Sequence, residues 1–317
     1  MLRPLVKWAG GKRQLMPQLL EHLPRKWDTY YEPFVGGGAL LVELFNRRLL
    51  SRAVISDMNP ELINLYEVVK QEPERLVESL SSMRLENNLQ YYLEQRSEFN
   101  SLRRSGAAPA MRAALFLYLN RHSFNGLWRV NSSGDFNVPF GRYTNPSLPT
   151  TEHFRAFSTM LQDVEIRRLD FEKALHGVSP GDFVYFDPPY EPVSKTAHFT
   201  SYTQGGFTNA DQVRLSTLCK NMSNRGVSFM VSNADVPGIA SLYREFNSIT
   251  VDARRSINSK ADLRTGHREI IITNYEAGAL ARTDPVEQDS QKTLDQTPSP
   301  TTLPAGPEKN AFNEELS

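Results

Sequence analysis

The run DFVYFDPPYEP, residues 182–192, sets an acid, two prolines and a tyrosine directly after the strand-forming stretch Phe183 to Phe186. A residue that precedes proline is pushed to extended geometry, and proline fixes its own φ. Asp187 is therefore expected at the carboxyl edge of a strand, with a rigid backbone path through Pro188 and Pro189. A carboxylate and a backbone carbonyl only accept hydrogen bonds, which suits a substrate that offers an N–H₂ group. The exocyclic amine of a nucleobase is a poor nucleophile, because its lone pair is delocalised into the ring. Two acceptors drawing on its two hydrogens favour a pyramidal nitrogen with an available lone pair, and Tyr190 could stack on a base taken out of its helix. A strand-end turn, with Asp187 as a cap and Tyr190 in packing, is the plain alternative for so short a match.

Upstream, FVGGG (34–38) lies between a strand-like Tyr30 to Pro33 and an amphipathic Ala39 to Asn46. Glycines at 36 and 38 let backbone approach a ligand at a helix N-terminus, and Asp57 follows about 20 residues on, where an acid would hold ribose hydroxyls. The pattern suits a nicotinamide dinucleotide or any other nucleoside cofactor, or a mere tight turn. KWAGGK (7–12) is not a phosphate-binding P-loop: the required first glycine is Val6, and the residue after the lysine is Arg13.

These residues need elements to hold them. Ala53 to Ser56 reads as a second strand, after which Asn59 and Pro60 form an N-cap and first helical position for INLYEVVK. Strands are expected at Val164 to Leu169, Phe183 to Phe186, 227–233, 248–253 and 268–275, with a helix from Ala210 to about Asn224 and the last two strands antiparallel at a sheet edge. The fold class is α/β, a doubly wound mixed sheet. Residues 60–149 interrupt it with charged helical sequence and a hairpin-like stretch, about 123–144, whose turn is Asn131 to Asp135. The expected organisation is thus 1–59 and 150–275 as two parts of one domain, 60–149 as an inserted domain, and 276–317 as a disordered tail.

Composition narrows the chemistry. Hydrophobic residues are 39% and charged residues 23%, no apolar run approaches a bilayer span, and Pro4 and Gly10 break up the N-terminal segment. A single cysteine, Cys219, excludes an internal disulfide and a multi-cysteine zinc site, so the cytoplasm is the expected compartment. The formal net charge is zero, but residues 1–275 hold 33 basic and 28 acidic residues, a net of +5, because the proline-rich end from Glu276 is acidic. By itself so small an excess favours solvated surface charge for Arg129, Arg142 and the run Arg254, Arg255, Lys260, Arg264 and Arg268.

Taken together, DPPY and the FVGGG loop resemble the amino-group DNA methyltransferases that use S-adenosylmethionine. KWAGGK, FNGLWRVNSSGDFNVPFGRY (124–143) and the closing RRSINSKADLRTGHREIIITNY (254–275) make the chain similar, more narrowly, to the Dam-type DNA adenine methyltransferases over residues 3–275. The resemblance implies a Rossmann-like methyltransferase with a target-recognition domain in the insert, acting on duplex DNA as a monomer and without a metal. Asp187 and the Pro188 carbonyl, followed by Pro189, would accept from the adenine amino group, with Tyr190 stacked on the flipped base. Trp8, Lys12, Phe34, Gly36 and Gly38 would surround the cofactor, Asp57 its ribose, and Asp170 and Phe171 its adenine. In the insert, Arg129 would read a guanine, with Lys7 reaching another from the catalytic side. Leu127 and Pro139 would touch a thymine methyl, Phe124 and Asn125 would wedge into the stack, and Asn131 and Arg142 would complete the DNA-facing set. The family constellation reads GATC; here Phe124 stands where tyrosine is commoner.

Other classes are separable. A dinucleotide oxidoreductase shares the glycine loop and Asp57 but has no use for DPPY. A zinc base deaminase needs several Cys or His ligands. A methyltransferase for a protein glutamine or an RNA base uses a related site, and the hairpin with Arg129 favours duplex DNA over it.

Overall fold

The computed structural model describes residues 1–190, 206–253 and 267–277, all within one unit, Met1–Leu280. Its frame is a seven-stranded sheet of β1 (Tyr30–Glu32), β2 (Ala53–Ser56), β3 (Val164–Arg167), β4 (Phe183–Phe186), β5 (Ser228–Ala234), β6 (Asn247–Ala253) and β7 (His267–Thr273). The order is β3-β2-β1-β4-β5-β7-β6. The first five are parallel, β7 runs antiparallel to β5, and β6 antiparallel to β7. This is the doubly wound mixed sheet expected from sequence. The strand ends differ slightly. β1 stops before Pro33, which has no N–H to give, and β3 stops at Arg167, beyond which the Leu169 N–H turns to Ser56 Oγ at 3.2 Å.

Both sheet faces are covered, so the central strands are buried throughout and their residues alternate between two cores. Tyr30, Phe183 and Tyr185 point into one core, with Leu62, Leu65 and Tyr66 of α3 (Pro60–Gln71) and Phe154 and Phe157 of α7 (Thr151–Leu161). Tyr31, Val184 and Phe186 point into the other, with Leu215, Cys219 and Met222 of α8 (Asn209–Asn224). α1 (Met16–Glu21) and α2 (Ala39–Asn46) send Leu19, Leu40, Leu41 and Leu44 into the first core. The sequence cue for α3 is met: Asn59 Oδ1 accepts from the N–H groups of Glu61 and Leu62, and Pro60 opens the helix. Three helices were not anticipated: α1, α7, capped by Thr150, and the six-residue α9, Pro237–Leu242.

Between β2 and β3 the chain also builds α4 (Pro73–Ser82), α5 (Leu89–Ser105) and α6 (Pro109–His122). The stretch expected as a hairpin, about 123–144, is more irregular than a ladder: only the isolated bridges Ser123 to Phe140 and Val130 to Phe136 pair its limbs. Side chains of α5 take the place of a partner strand. Asn100 bonds both the N–H and the carbonyl of Phe136, Tyr92 Oη and Arg96 donate to the Val138 carbonyl, and Arg103 donates to that of Gly134. The turn is where it was expected, with Asn131 Oδ1 accepting from the N–H groups of Ser133 and Asp135. No helix among the described residues is long and apolar enough to cross a membrane. Residues 278–317 and the basic residues Arg254, Arg255, Lys260 and Arg264 lie outside the described residues.

Candidate active site

The sheet brings the two chemical motifs together. β1 and β4 are neighbours, in register Tyr30 to Phe183, and the chain leaves them in opposite directions across the sheet. The crevice at such a switch point, beyond the carboxyl ends of the strands, is where open α/β sheets bind ligands. FVGGG follows β1 there and DPPY follows β4.

Glycine is required in the first loop for two reasons. Gly36 has φ +47°, and a Cβ on it would lie 2.6 Å from Cδ1 of the Trp8 indole; Gly38 has φ +65° at the N-cap of α2. The loop is braced from below by Tyr66 Oη, which donates to the Gly36 carbonyl at 2.8 Å. Asp57, at the end of β2, accepts from Gly36 N at 3.1 Å through Oδ2 and from Asn59 N at 2.8 Å through Oδ1. Burial pushes its carboxyl up to about 6, against the pull of these backbone donors. A carboxylate has about four acceptor positions, so Asp57 retains capacity for further hydroxyl donors.

The rim of this region is apolar. Phe34 and Phe171 stack at 5.4 Å between centroids, and Phe207 meets Phe34 edge-on at 5.6 Å. Met58 and Leu169, at the ends of β2 and β3, are left 50% and 38% exposed. Asp170 is partly committed: its Oδ1 accepts from Glu172 N at 3.1 Å and from Arg214 at 3.2 Å. Neither Phe207 nor Met58 was signalled by sequence, since a lone apolar residue beside a loop has no distinctive pattern.

In the second loop, Asp187 Oδ1 is paired with Lys12 Nζ at 2.7 Å and accepts from Ser232 Oγ at 3.2 Å. Ser232 Oγ in turn lies 2.9 Å from Tyr185 Oη. Among the described residues, Oδ2 takes no hydrogen bond, and no backbone N–H reaches the Pro188 carbonyl. Burial raises Asp187 above the ordinary aspartate range while the Lys12 ammonium works against it. Lys12 also donates to the Gly10 carbonyl and lies 4.7 Å from the Tyr190 ring centroid, so a residue expected at the cofactor is found here bridging Asp187 and Tyr190. Glu32, beneath the glycine loop, is pushed up to about 8 by burial and accepts from Tyr30 Oη at 2.9 Å.

In the stretch 123–144, Phe124 is 47% exposed, and Asn125 is held at φ +54° with its N–H donating to Tyr143 Oη at 2.8 Å. Asn120 of α6, which the sequence did not mark, clamps the Lys7 backbone: it accepts from Lys7 N and donates to the carbonyls of Lys7 and Gly126. The exposed Lys7 is thereby tied beside the Phe124 to Gly126 turn, its Nζ 4.4 Å from the Tyr143 ring. Arg129 donates through Nε to Asn137 Oδ1 at 2.7 Å and through NH2 to the Asn137 carbonyl at 3.0 Å. Pro139 and Arg142 are exposed, Leu127 is half-buried, and Asn131 is exposed with its Oδ1 spent on the turn.

A sheet of this order, with a glycine loop and an Asp-Pro-Pro-Tyr step side by side at its switch point, is the frame of a Rossmann-like, S-adenosylmethionine-dependent methyltransferase. The chain belongs to the D12 class N6 adenine-specific DNA methyltransferase family, which it matches over residues 8–257. It is 45% identical over 276 residues to the Type II methyltransferase M1.LlaDCHI of Lactococcus lactis subsp. cremoris, covering 86% of this chain and 96% of that protein. Identity to the Type II methyltransferase M.MjaIII of Methanocaldococcus jannaschii is 41% over 288 residues, with 86% and 99% covered. The DNA adenine methylase of Escherichia coli strain K12 is 34% identical over 281 residues, with 88% and 97% covered. The enzyme is accordingly an adenine-specific DNA methyltransferase with S-adenosylmethionine as methyl donor.

Proposed function

We propose that the enzyme methylates the exocyclic amine of an adenine flipped out of duplex DNA, within GATC, using residues 60–149 for target recognition. The observation that carries the chemistry is a pair of acceptors, Asp187 Oδ2 and the Pro188 carbonyl, left uncommitted among the described residues on a backbone that two prolines hold rigid. When bound, S-adenosylmethionine supplies a methyl group already electrophilic on a sulfonium, so the protein's task is orientation and electrostatics. Gly36 and Gly38 would let the loop approach the cofactor, Asp57 would accept from its ribose hydroxyls, and Phe34, Phe171, Met58 and Leu169 would border its base. Asp187 Oδ2 and the Pro188 carbonyl would each take one hydrogen of the adenine amine while Tyr190 stacks on the ring. The raised affinity of Asp187 for a proton suits Oδ2 to receive the one the amine gives up after transfer.

For sequence choice, the geometry of Arg129 is suggestive in a specific way. Asn137 occupies the Nε side of the guanidinium and fixes its plane, which leaves NH1 and the outer hydrogen of NH2 as a two-pronged donor. Such a fork matches O6 and N7 of guanine. Lys7 at the clamped turn would meet the other guanine, Leu127 and Pro139 the thymine methyl, and Phe124 the gap left by the adenine, while Asn131 and Arg142 face the backbone. Incubation with S-adenosylmethionine and unmethylated DNA, followed by sequencing of modified bases, tests this: methylated adenines should fall in GATC. Methylation dispersed over other contexts would remove the specificity assignment.

A second test addresses Asp57. The ionised carboxylate is the acceptor, and its pKa near 6 means that the competent fraction falls as pH drops below that value. The dissociation constant for S-adenosylmethionine, measured by calorimetry between pH 5 and 8, is expected to rise about tenfold per pH unit on the acid side. Asp57→Asn should bind more weakly at neutral pH and lose most of this dependence. An unchanged affinity in that variant would take Asp57 off the ribose.

A further inference from the structure

Strand β7, HREIIIT, lies between β5 and the edge strand β6, and the proposed function leaves its acid unused. Glu269 lies on β7 opposite Ala234 of β5 on one side and Val251 of β6 on the other, and it is only 8% exposed. Its Oε2 accepts from Tyr190 Oη at 2.6 Å, across 79 residues of sequence. Stacking on a base needs only the face of an aromatic ring, and phenylalanine would provide that. A carboxylate this deeply buried is costly unless it is hydrogen-bonded, so the phenol and the acid are matched for a reason other than stacking area. Burial, Asp187 and Glu269 together hold the Tyr190 phenol well above its ordinary titration range, so it stays a donor throughout neutral and mildly alkaline solution.

Among the described residues, the ring is constrained from three directions. Pro189 sets the backbone that carries it, the Lys12 ammonium lies 4.7 Å from its centroid, and Glu269 anchors its far end. Lys12 is itself paired with Asp187, and Asp187 is pinned by Ser232, so the acceptor and the stacking ring are both referenced to β5 and its partner β7. We propose that Glu269 is a positioning residue for methyl transfer: through the Tyr190 hydroxyl it sets the tilt of the ring, and hence where the stacked adenine presents its amine to Asp187 Oδ2 and the Pro188 carbonyl. This rests on the stacking role given to Tyr190 above.

The test uses the full chain, S-adenosylmethionine and a duplex with one unmethylated target adenine, measured in single turnover. Glu269→Ala is expected to slow methyl transfer about tenfold, a loss of alignment and not of binding, with cofactor affinity unchanged within about twofold. Glu269→Gln keeps an acceptor oxygen and should stay within about threefold of the wild type. Tyr190→Phe should slow transfer as much as Glu269→Ala does, and Glu269→Ala should cost nothing more in the Tyr190→Phe background, because its effect passes through the hydroxyl. A full-rate Glu269→Ala or Tyr190→Phe enzyme, or an undiminished penalty for Glu269→Ala in the Tyr190→Phe background, overturns the proposal. Should Glu269→Ala fail to fold, Tyr190→Phe and Glu269→Gln still decide the matter. Tyr190→Ala separates the two levels: full activity there refutes the stacking role itself, whereas its loss alongside a full-rate Glu269→Ala refutes only the positioning by Glu269.

Discussion

Asp187→Ala is expected to lower the single-turnover rate of adenine methylation by at least about 100- to 1,000-fold, the range seen when one preorganised hydrogen-bonding group is taken from a transition state. In the proposed mechanism the side chain supplies Oδ2, one of two acceptors for the reacting amine. Duplex affinity should hold within a few-fold, since the residues proposed to face DNA are on other elements. The variant also strands Lys12, 5% exposed, whose carboxylate partner is gone, so some loss of thermal stability should accompany the loss of rate. Asp187→Asn separates the two effects. It keeps one acceptor oxygen beside Lys12 but replaces the other with a donor, and it should retain more stability than Asp187→Ala while still losing much of the rate. A rate near that of the wild type in Asp187→Ala, with binding and folding verified, would refute the assignment of the amine to this carboxylate.

If Arg129 reads a guanine of GATC as proposed, Arg129→Ala is expected to reduce the preference for GATC over duplexes altered at that guanine by about 1–3 kcal/mol or roughly 5- to 150-fold. The basis is a guanidinium that Asn137 holds in plane and whose outer fork takes no hydrogen bond among the described residues. A phosphate contact would behave differently. It would weaken all sequences alike and lower the salt dependence of binding by about one unit of slope. Initial methylation rates on GATC duplexes and on duplexes with each guanine replaced, at several salt concentrations, distinguish the two. Asn137→Ala offers an internal check, since freeing the guanidinium plane should erode the same discrimination while leaving the charge in place. Uniform loss across substrates with a shallower salt slope would make Arg129 an anchor and leave the recognition sequence without its reader.

Much of the site was legible because it obeys short-range rules. Proline geometry set Asp187 at a strand end, Asn59 and Pro60 opened α3, and glycines at 36 and 38 marked the loop where a Cβ collides with Trp8 or the backbone turns left-handed. β2, α2 and β4 fall on the residues expected from pattern, and the two edge strands pair antiparallel as expected, with β6 starting one residue earlier and β7 running from His267 to Thr273 instead of 268–275. Partnership was not legible. Sequence gave no sign that Lys12 would sit on Asp187, that Asn120 would clamp Lys7 from 113 residues away, or that Tyr190 would end on Glu269. Nor could periodicity show that the limbs of residues 123–144, joined to each other by only two isolated bridges, would be tied as well to Tyr92, Arg96, Asn100 and Arg103 of α5. The physical reason is the range of the forces involved. Caps, turns and alternation are settled within a few residues, whereas these contacts exist only once the crossovers have laid β1 beside β4 and β7 beside β5, a choice made by burying both faces of the sheet at once.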